Sequence, residues 1–160
     1  MTALFLDRDG VINQRIVDGY VTRPDDFLFI DGVLQAMAIF ARNFDRIFVV
    51  TNQQGIGKGL MTEADLAAVH AYMLQQVQDA GGRIDRIYVC TAVDEDDPRR
   101  KPNTGMVDEI RADFPDIDLR RSILVGDSPS DMLFARRAGI PAVQVMDSGN
   151  LLTFARRLTN

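Results

Sequence analysis

The sequence predicts an α/β protein with a doubly wound, Rossmann-like, mostly parallel sheet and helices on both faces. Three observations carry that expectation. Short apolar runs rich in Val, Ile and Phe recur along the chain, segments with helical apolar spacing fall between them, and the connections are short. The runs are continuous rather than alternating, which suits strands buried on both faces of a parallel sheet.

Taken in order, the first strand is "ALFL" from Ala3, followed by a helix from Val33 to Asn43 and a second strand, "RIFVV", from Arg46. The next helix has the clearest start. Thr62 is a suitable N-cap and Asp65, three residues on, stands in a capping-box position. Leu66, Val69, Met73 and Val77 mark one face of this helix, and Gly81 closes it. "RIYVC" from Arg86 is the third strand, with a helix from Gly105 to Phe114 after it. "SILVG" from Ser122 precedes a helix from Ser130 to Ala138, and "AVQVM" from Ala142 precedes one from Leu151 to Leu158. No internal repeat or linker interrupts the alternation, so residues 1–160 are read as one domain.

Bulk properties narrow the function classes. The chain has 160 residues, 46% hydrophobic and 26% charged, which is ordinary for a globular domain and leaves no place for disorder. A net charge of −5 and a pI of about 4.8 argue against nucleic acid as the main partner. The N-terminal residues lack a signal peptide's basic region and long apolar core, and no apolar run approaches a membrane span. A single cysteine, Cys90, has no internal disulfide partner, so a cytoplasmic location is expected. Oligomeric state stays open, with a monomer favoured.

In open α/β sheets ligands bind outside the carboxyl ends of the strands, and here those ends carry polar groups. The first strand ends in Asp7 and Asp9, the second in Thr51 and Asn52, and the fourth in "GDSPSD". A loop after the third carries "RRKP". Alternation places the carboxylates of Asp7 and Asp9 roughly on one side, where like charges need a counter-charge. Asp127 adds a third carboxylate. Oxygen ligands without a histidine cluster suit Mg²⁺, although a turn or cap beside Gly10 also accounts for Asp-x-Asp-Gly. The glycines of "TNQQGIGKG" fit neither a P-loop nor a dinucleotide fingerprint, and a flexible loop is expected there. Thr51 and Asn52, by contrast, offer hydroxyl, amide and backbone N–H groups to phosphate oxygens. Lys101 lies just ahead of a helix that Pro102 delays to about Thr104, where charge and dipole together favour an anion. Arg99 reads as part of a solvated basic patch balancing the acidic run Asp94 to Asp97. Asp131 caps its helix and orients the loop, leaving Asp127 to reach the metal.

Asp-x-Asp-Gly, a strand-end Thr, a Lys and a late Gly-Asp-x-x-x-Asp, in that order, resemble the haloacid dehalogenase superfamily. "DRDGVIN", "TNQQGIGKG" and "RKPNTGM" resemble more narrowly the branch holding the D-glycero-D-manno-heptose 1,7-bisphosphate 7-phosphatases and histidinol-phosphate phosphatases. The resemblance covers nearly the whole chain and implies a Mg²⁺-dependent phosphatase of a small phosphorylated metabolite. It implies Asp7 as nucleophile, Asp9 as acid and base, and Thr51 and Lys101 as phosphoryl-binding groups. Mg²⁺ is then held by Asp7, the Asp9 carbonyl and Asp127. Asn52, Gln53 and Arg100 match substrate-contacting positions, and "DGY" at Asp18 resembles another contact segment.

The chain departs from these relatives at their zinc loop. Cys90 stands at the first ligand position, Ala92 replaces the histidine, and no zinc is expected. No stretch is long enough for a large cap domain, so a relatively open site under short loops such as Gln14 to Phe29 is expected. Cys90 and the lone histidine, His70, read as structural. The expected substrate is D-glycero-D-manno-heptose 1,7-bisphosphate, losing its 7-phosphate, with histidinol phosphate second, and two further alternatives stay open. The phosphatase domain of polynucleotide kinase-phosphatases also resembles "TNQQGIGKG", which makes a polynucleotide 3′-phosphate a possible substrate. A phospho-acceptor signalling module uses Asp, Thr and Lys as well, but in a different order along the chain.

Overall fold

A computed structural model describes residues 1–145 and 150–159. Five strands form one parallel sheet: β1 (Ala3–Leu6), β2 (Arg46–Asn52), β3 (Arg86–Cys90), β4 (Ile123–Gly126) and β5 (Ala142–Gln144). Their spatial order is β3-β2-β1-β4-β5. Leu6 pairs with Val49 on one side and Val125 on the other, so the tips of β1, β2 and β4 lie abreast. β2 runs two residues further than its apolar core, because Thr51 and Asn52 pair with Val89 and Cys90. Met146, expected at the end of the last strand, lies outside the described residues.

Among the described residues six α-helices flank the strands: α1 (Val33–Asn43), α2 (Gln54–Gly57), α3 (Glu63–Asp79), α4 (Gly105–Asp113), α5 (Pro129–Ala138) and, after β5, α6 (Asn150–Arg157). Alternate residues of each strand feed two cores. Leu4, Leu6, Ile47 and Val49 pack with Met37 and Phe40 of α1, Val69 and Met73 of α3, and Ala155 of α6. Ala3, Phe5, Phe48 and Val50 pack on the other face with Ile110 of α4 and Phe134 of α5. β1 is fully buried along its length, which explains an apolar run with no polar alternation.

The Thr62 cap forms as its spacing predicts: Thr62 Oγ1 accepts from Asp65 N at 3.0 Å, and Thr62 N donates to the Asp65 carboxylate at 2.9 Å. A second capping box joins Ser128 and Asp131 at the start of α5. One expectation is corrected. The glycine segment after β2 is not a flexible loop but holds the helical turn α2, and a Cβ on Gly57 would lie 2.3 Å from the Thr91 carbonyl. Glycine there lets α2 press against the chain leaving β3. The segment between β1 and α1 is tied down by Gln14 N to Leu28 O and Ile30 N to Ile12 O, leaving residues 15–21 to lean over the strand tips. Among the described residues no helix is long and apolar enough to cross a membrane.

Candidate active site

The chain leaves β1 for β2 and β3 on one side, then crosses back to β4 and β5, so the reversal of strand order falls beside β1. The carboxyl ends of the strands open there into a pocket of about 800 Å³. Asp7, Asp9, Lys101 and Asp131 line its floor; Arg15, Tyr20, Lys58 and Arg100 line its walls.

Asp7 follows β1 directly, and its N–H continues the ladder to Val125 O at 3.1 Å. Its Oδ1 accepts from Lys101 Nζ at 2.9 Å and from Arg8 N at 2.9 Å. Lys101 Nζ also donates to Asp131 Oδ1 at 2.9 Å, so one buried ammonium joins two buried carboxylates. Burial pushes the Asp7 carboxyl up to about 7 against the opposing pull of Lys101, with Asp131 and Asp9 adding to the rise. Burial alone would lower Lys101, but the charges of Asp7 and Asp131 outweigh it and hold the ammonium above its ordinary value.

Asp131 has little freedom. Its Oδ2 accepts from Asp127 N at 3.1 Å and Ser128 Oγ at 3.1 Å, which leaves it orienting the β4–α5 turn and Lys101. Despite its burial, the Lys101 charge keeps its carboxyl below the ordinary range. Asp127 is more exposed, and Gly10 makes room for it. Gly10 sits at φ +84°, and a Cβ there would fall 1.9 Å from Asp127 Oδ2.

Asp9 points the other way. Its Oδ1 accepts from Arg8 Nη2 at 2.8 Å and Asn13 Nδ2 at 2.9 Å, and its Oδ2 from Gln53 Nε2 at 2.8 Å. Burial would raise this carboxyl, but the Arg8 charge and the three donors hold it below its usual value.

Other sequence-predicted residues take unequal places. Asn52 lines the pocket, and its amide holds the Lys101 main chain in both directions, Nδ2 to Lys101 O at 3.2 Å and Lys101 N to Oδ1 at 3.1 Å. Gln53, expected at the substrate, is only 1% exposed and lies behind the pocket, donating to Asp9 and to Thr51 Oγ1 at 2.9 Å. The wall position belongs to Gln54, whose amide oxygen turns to Arg100, 2.9 Å from Nη2 and 3.1 Å from Nε. Arg100 also donates to Val93 O. Asp18 lines the pocket with the rest of "DGY". Arg8 and Asn13 lie within "DRDGVIN" and Lys58 within "TNQQGIGKG", but their contacts, like those of Arg15, emerge only in three dimensions.

The donor set fits a hard divalent cation. Carboxyl oxygens of Asp7, Asp127 and Asp131 come within 4.8 Å of one another, and among the described residues no histidine or cysteine joins the group. Arg15 shows where positive charge is drawn: its Nη2 lies 3.0 and 3.2 Å from the two Asp127 oxygens and 3.5 Å from the Asp9 carbonyl. The oxygens of Asp131 are held by buried or capping partners, Lys101 and Ser128, whereas those of Asp127 are held only by the half-exposed Arg15 side chain.

A five-stranded parallel sheet with two acidic residues at the tip of its central strand, and Thr, Lys and Asp on neighbouring tips, defines a haloacid dehalogenase-type hydrolase. The polynucleotide kinase 3 phosphatase family model matches residues 3–143; the chain belongs to this family and is a phosphatase. It is 42% identical over 139 residues to the D-glycero-alpha-D-manno-heptose-1,7-bisphosphate 7-phosphatase of Campylobacter jejuni, covering 86% of this chain and 78% of that one. The corresponding beta-anomer enzyme of Vibrio cholerae is 37% identical over 159 residues, covering 94% and 84%. Among solved structures, the D,D-heptose 1,7-bisphosphate phosphatase of B. bronchiseptica, complexed with magnesium and phosphate, superposes with a TM-score of 0.89. Its identity is 31%, over 99% of this chain and 98% of that one.

Proposed function

We propose that this phosphatase removes the 7-phosphate of D-glycero-D-manno-heptose 1,7-bisphosphate, with Mg²⁺ as cofactor and an aspartyl-phosphate on Asp7. The observation that carries the reading is Asp7 itself: a strand-tip carboxylate on the pocket floor, held from one side by Lys101 and facing open space on the other. The relatives act on both anomers of this sugar and support the substrate class. The walls fit a bisphosphate, since Arg15, Lys58 and Arg100 stand around the mouth, beyond the Lys101 end.

Asp7, the Asp9 main-chain carbonyl and Asp127 would hold the Mg²⁺, which when bound supplies positive charge between the nucleophile and the phosphoryl oxygens. Lys101 fixes the rotamer of Asp7 and shares the charge of the transferring group. Asp7 attacks phosphorus, and the bond from phosphorus to the sugar oxygen breaks. The electron pair leaves with that oxygen, which takes the proton of Asp9. Asp9, now a carboxylate, takes a proton from a water that attacks the same phosphorus and releases Asp7 and inorganic phosphate. Thr51, buried at the strand tip with its hydroxyl held by Gln53 Nε2 at 2.9 Å, would have to release that bond to give the hydroxyl to a phosphoryl oxygen; Asn52 keeps Lys101 in register, and Arg100 contacts the far end of the substrate.

The test measures phosphate release from both heptose bisphosphate anomers, histidinol phosphate and a 3′-phosphorylated oligonucleotide. Turnover should be highest on a heptose bisphosphate, require Mg²⁺, and vanish in Asp7→Asn with the fold intact. Activity in Asp7→Asn overturns the mechanism; preference for either other compound overturns the substrate.

A further inference from the structure

Arg8 stands between Asp7 and Asp9 in the chain, yet its side chain is fully buried, where an unpaired guanidinium would be strongly disfavoured. It runs beneath the pocket floor, its guanidinium 5.7 Å from the Phe27 ring centre. Nη2 grips Asp9 Oδ1 at 2.8 Å, and Nη1 reaches His70 Nε2 on α3 at 3.0 Å. Nε makes no hydrogen bond, so those two contacts set the orientation of the guanidinium plane. His70 is buried and must accept through Nε2, which places its proton on Nδ1. Burial, and then the Arg8 charge, push the imidazole down to about 4, so it is a neutral acceptor throughout the physiological range. Asn13 and Gln53 also hold Asp9, but they come from the first loop and from the end of β2. The Arg8 contact alone ties Asp9 to α3, a helix that otherwise adds no residue to the pocket floor.

We infer that His70 is a positioning residue for the reaction: through Arg8 it sets where the Asp9 carboxyl stands when it hands its proton to the leaving oxygen. The inference rests on the proposed role of Asp9 as general acid. Misplacing an acid by a fraction of an ångström weakens proton transfer, whereas a structural filler could be exchanged for any side chain of similar bulk.

The experiment compares two leaving groups. The heptose bisphosphate leaves as an alkoxide and needs the proton; 4-nitrophenyl phosphate leaves as a stable phenolate and does not. The quantity is kcat/KM, which reports the steps through the first phosphoryl transfer. His70→Met keeps the bulk and loses the acceptor, and should lower kcat/KM on the sugar phosphate about tenfold while changing the aryl ester less than about twofold. His70→Gln restores an acceptor and should return the sugar phosphate to within about threefold of wild type. Should His70→Met fail to fold, Arg8→Lys, which cannot span Asp9 and His70 together, should give the same selective loss. An equal fall on both esters, or no fall on either, overturns the role of His70. Asp9→Asn separates the two readings: it should show the same selectivity in larger measure, and if it lowers both esters alike, the general-acid reading itself is wrong.

Discussion

Lys101 and Asp9 differ most in what surrounds them. Lys101 is a buried cation between two buried anions, an arrangement that is costly to break from either side because it leaves an uncompensated charge. Asp9 is a half-buried anion that three donors satisfy, so it is built to lose a proton easily and must be approached by substrate to keep one. His70 yields a pH prediction at this scale. Its folded pKa, about 4, lies below the ordinary 6.5, so between those values the unfolded chain binds a proton that the folded chain does not. Its contribution to stability is therefore complete above about pH 6.5 and is lost as pH falls toward 4. The loss is on the order of 3 kcal/mol across the window. Urea midpoints measured from pH 7 to 4 should fall more steeply for wild type than for His70→Gln. As the only histidine, His70 should also give one imidazole proton resonance that titrates near 4 rather than 6.5.

At the scale of elements, one device appears twice with different consequences. The capping boxes of α3 and α5 use the same geometry, a hydroxyl on the N3 amide and a carboxylate returning to the N-cap. At α3 the carboxylate is Asp65, on the surface. At α5 it is Asp131, whose second oxygen holds Lys101. Thr62→Ala and Ser128→Ala should each reduce stability by about 1 kcal/mol in denaturant unfolding. Only Ser128→Ala should also lower kcat/KM, by about tenfold, because freeing Asp131 loosens the lysine that steadies Asp7. Equal activity in both variants would show that the α5 cap does not transmit to the site. The turn α2 has a similar double duty: it covers the pocket edge, and Gln54 at its start lies against Arg100.

For the molecule as a whole, four carboxylates at the tips of β1 and β4 face two buried cations, Arg8 and Lys101, and a more exposed third, Arg15. A divalent cation that binds only this assembled arrangement should stabilise the fold by mass action. At about 100 times the dissociation constant the gain is about 2.7 kcal/mol, a rise in melting temperature of roughly 5–10 °C. Differential scanning calorimetry with Mg²⁺ and with EDTA checks this; Asp127→Ala should show no rise, and an equal rise there would place the metal elsewhere. Much of the scaffold was legible without coordinates. Continuous apolar runs found the strands to within a residue or two, and Thr62 and Asp65 located the start of α3, because burial on both faces and local capping are written in neighbouring residues. The positions of Asp7, Asp9, Thr51, Lys101 and Asp127 at the carboxyl end of the sheet were legible as well, since each stands where an apolar run or a proline makes the chain turn. That Gln53 is buried while Gln54 lines the pocket was not legible, because the end of β2 and the start of α2 decide which of two adjacent glutamines turns inward. The Arg8–His70 and Arg15–Asp127 contacts were beyond sequence for a related reason: they span 62 and 112 residues. Sequence by itself determined the sheet, its helices and the acidic residues at the strand tips, through local periodicity and turn chemistry. Tertiary structure alone decided which charges meet, because strand order brings β1, β2 and β4 abreast and sets the counter-charge each buried carboxylate receives.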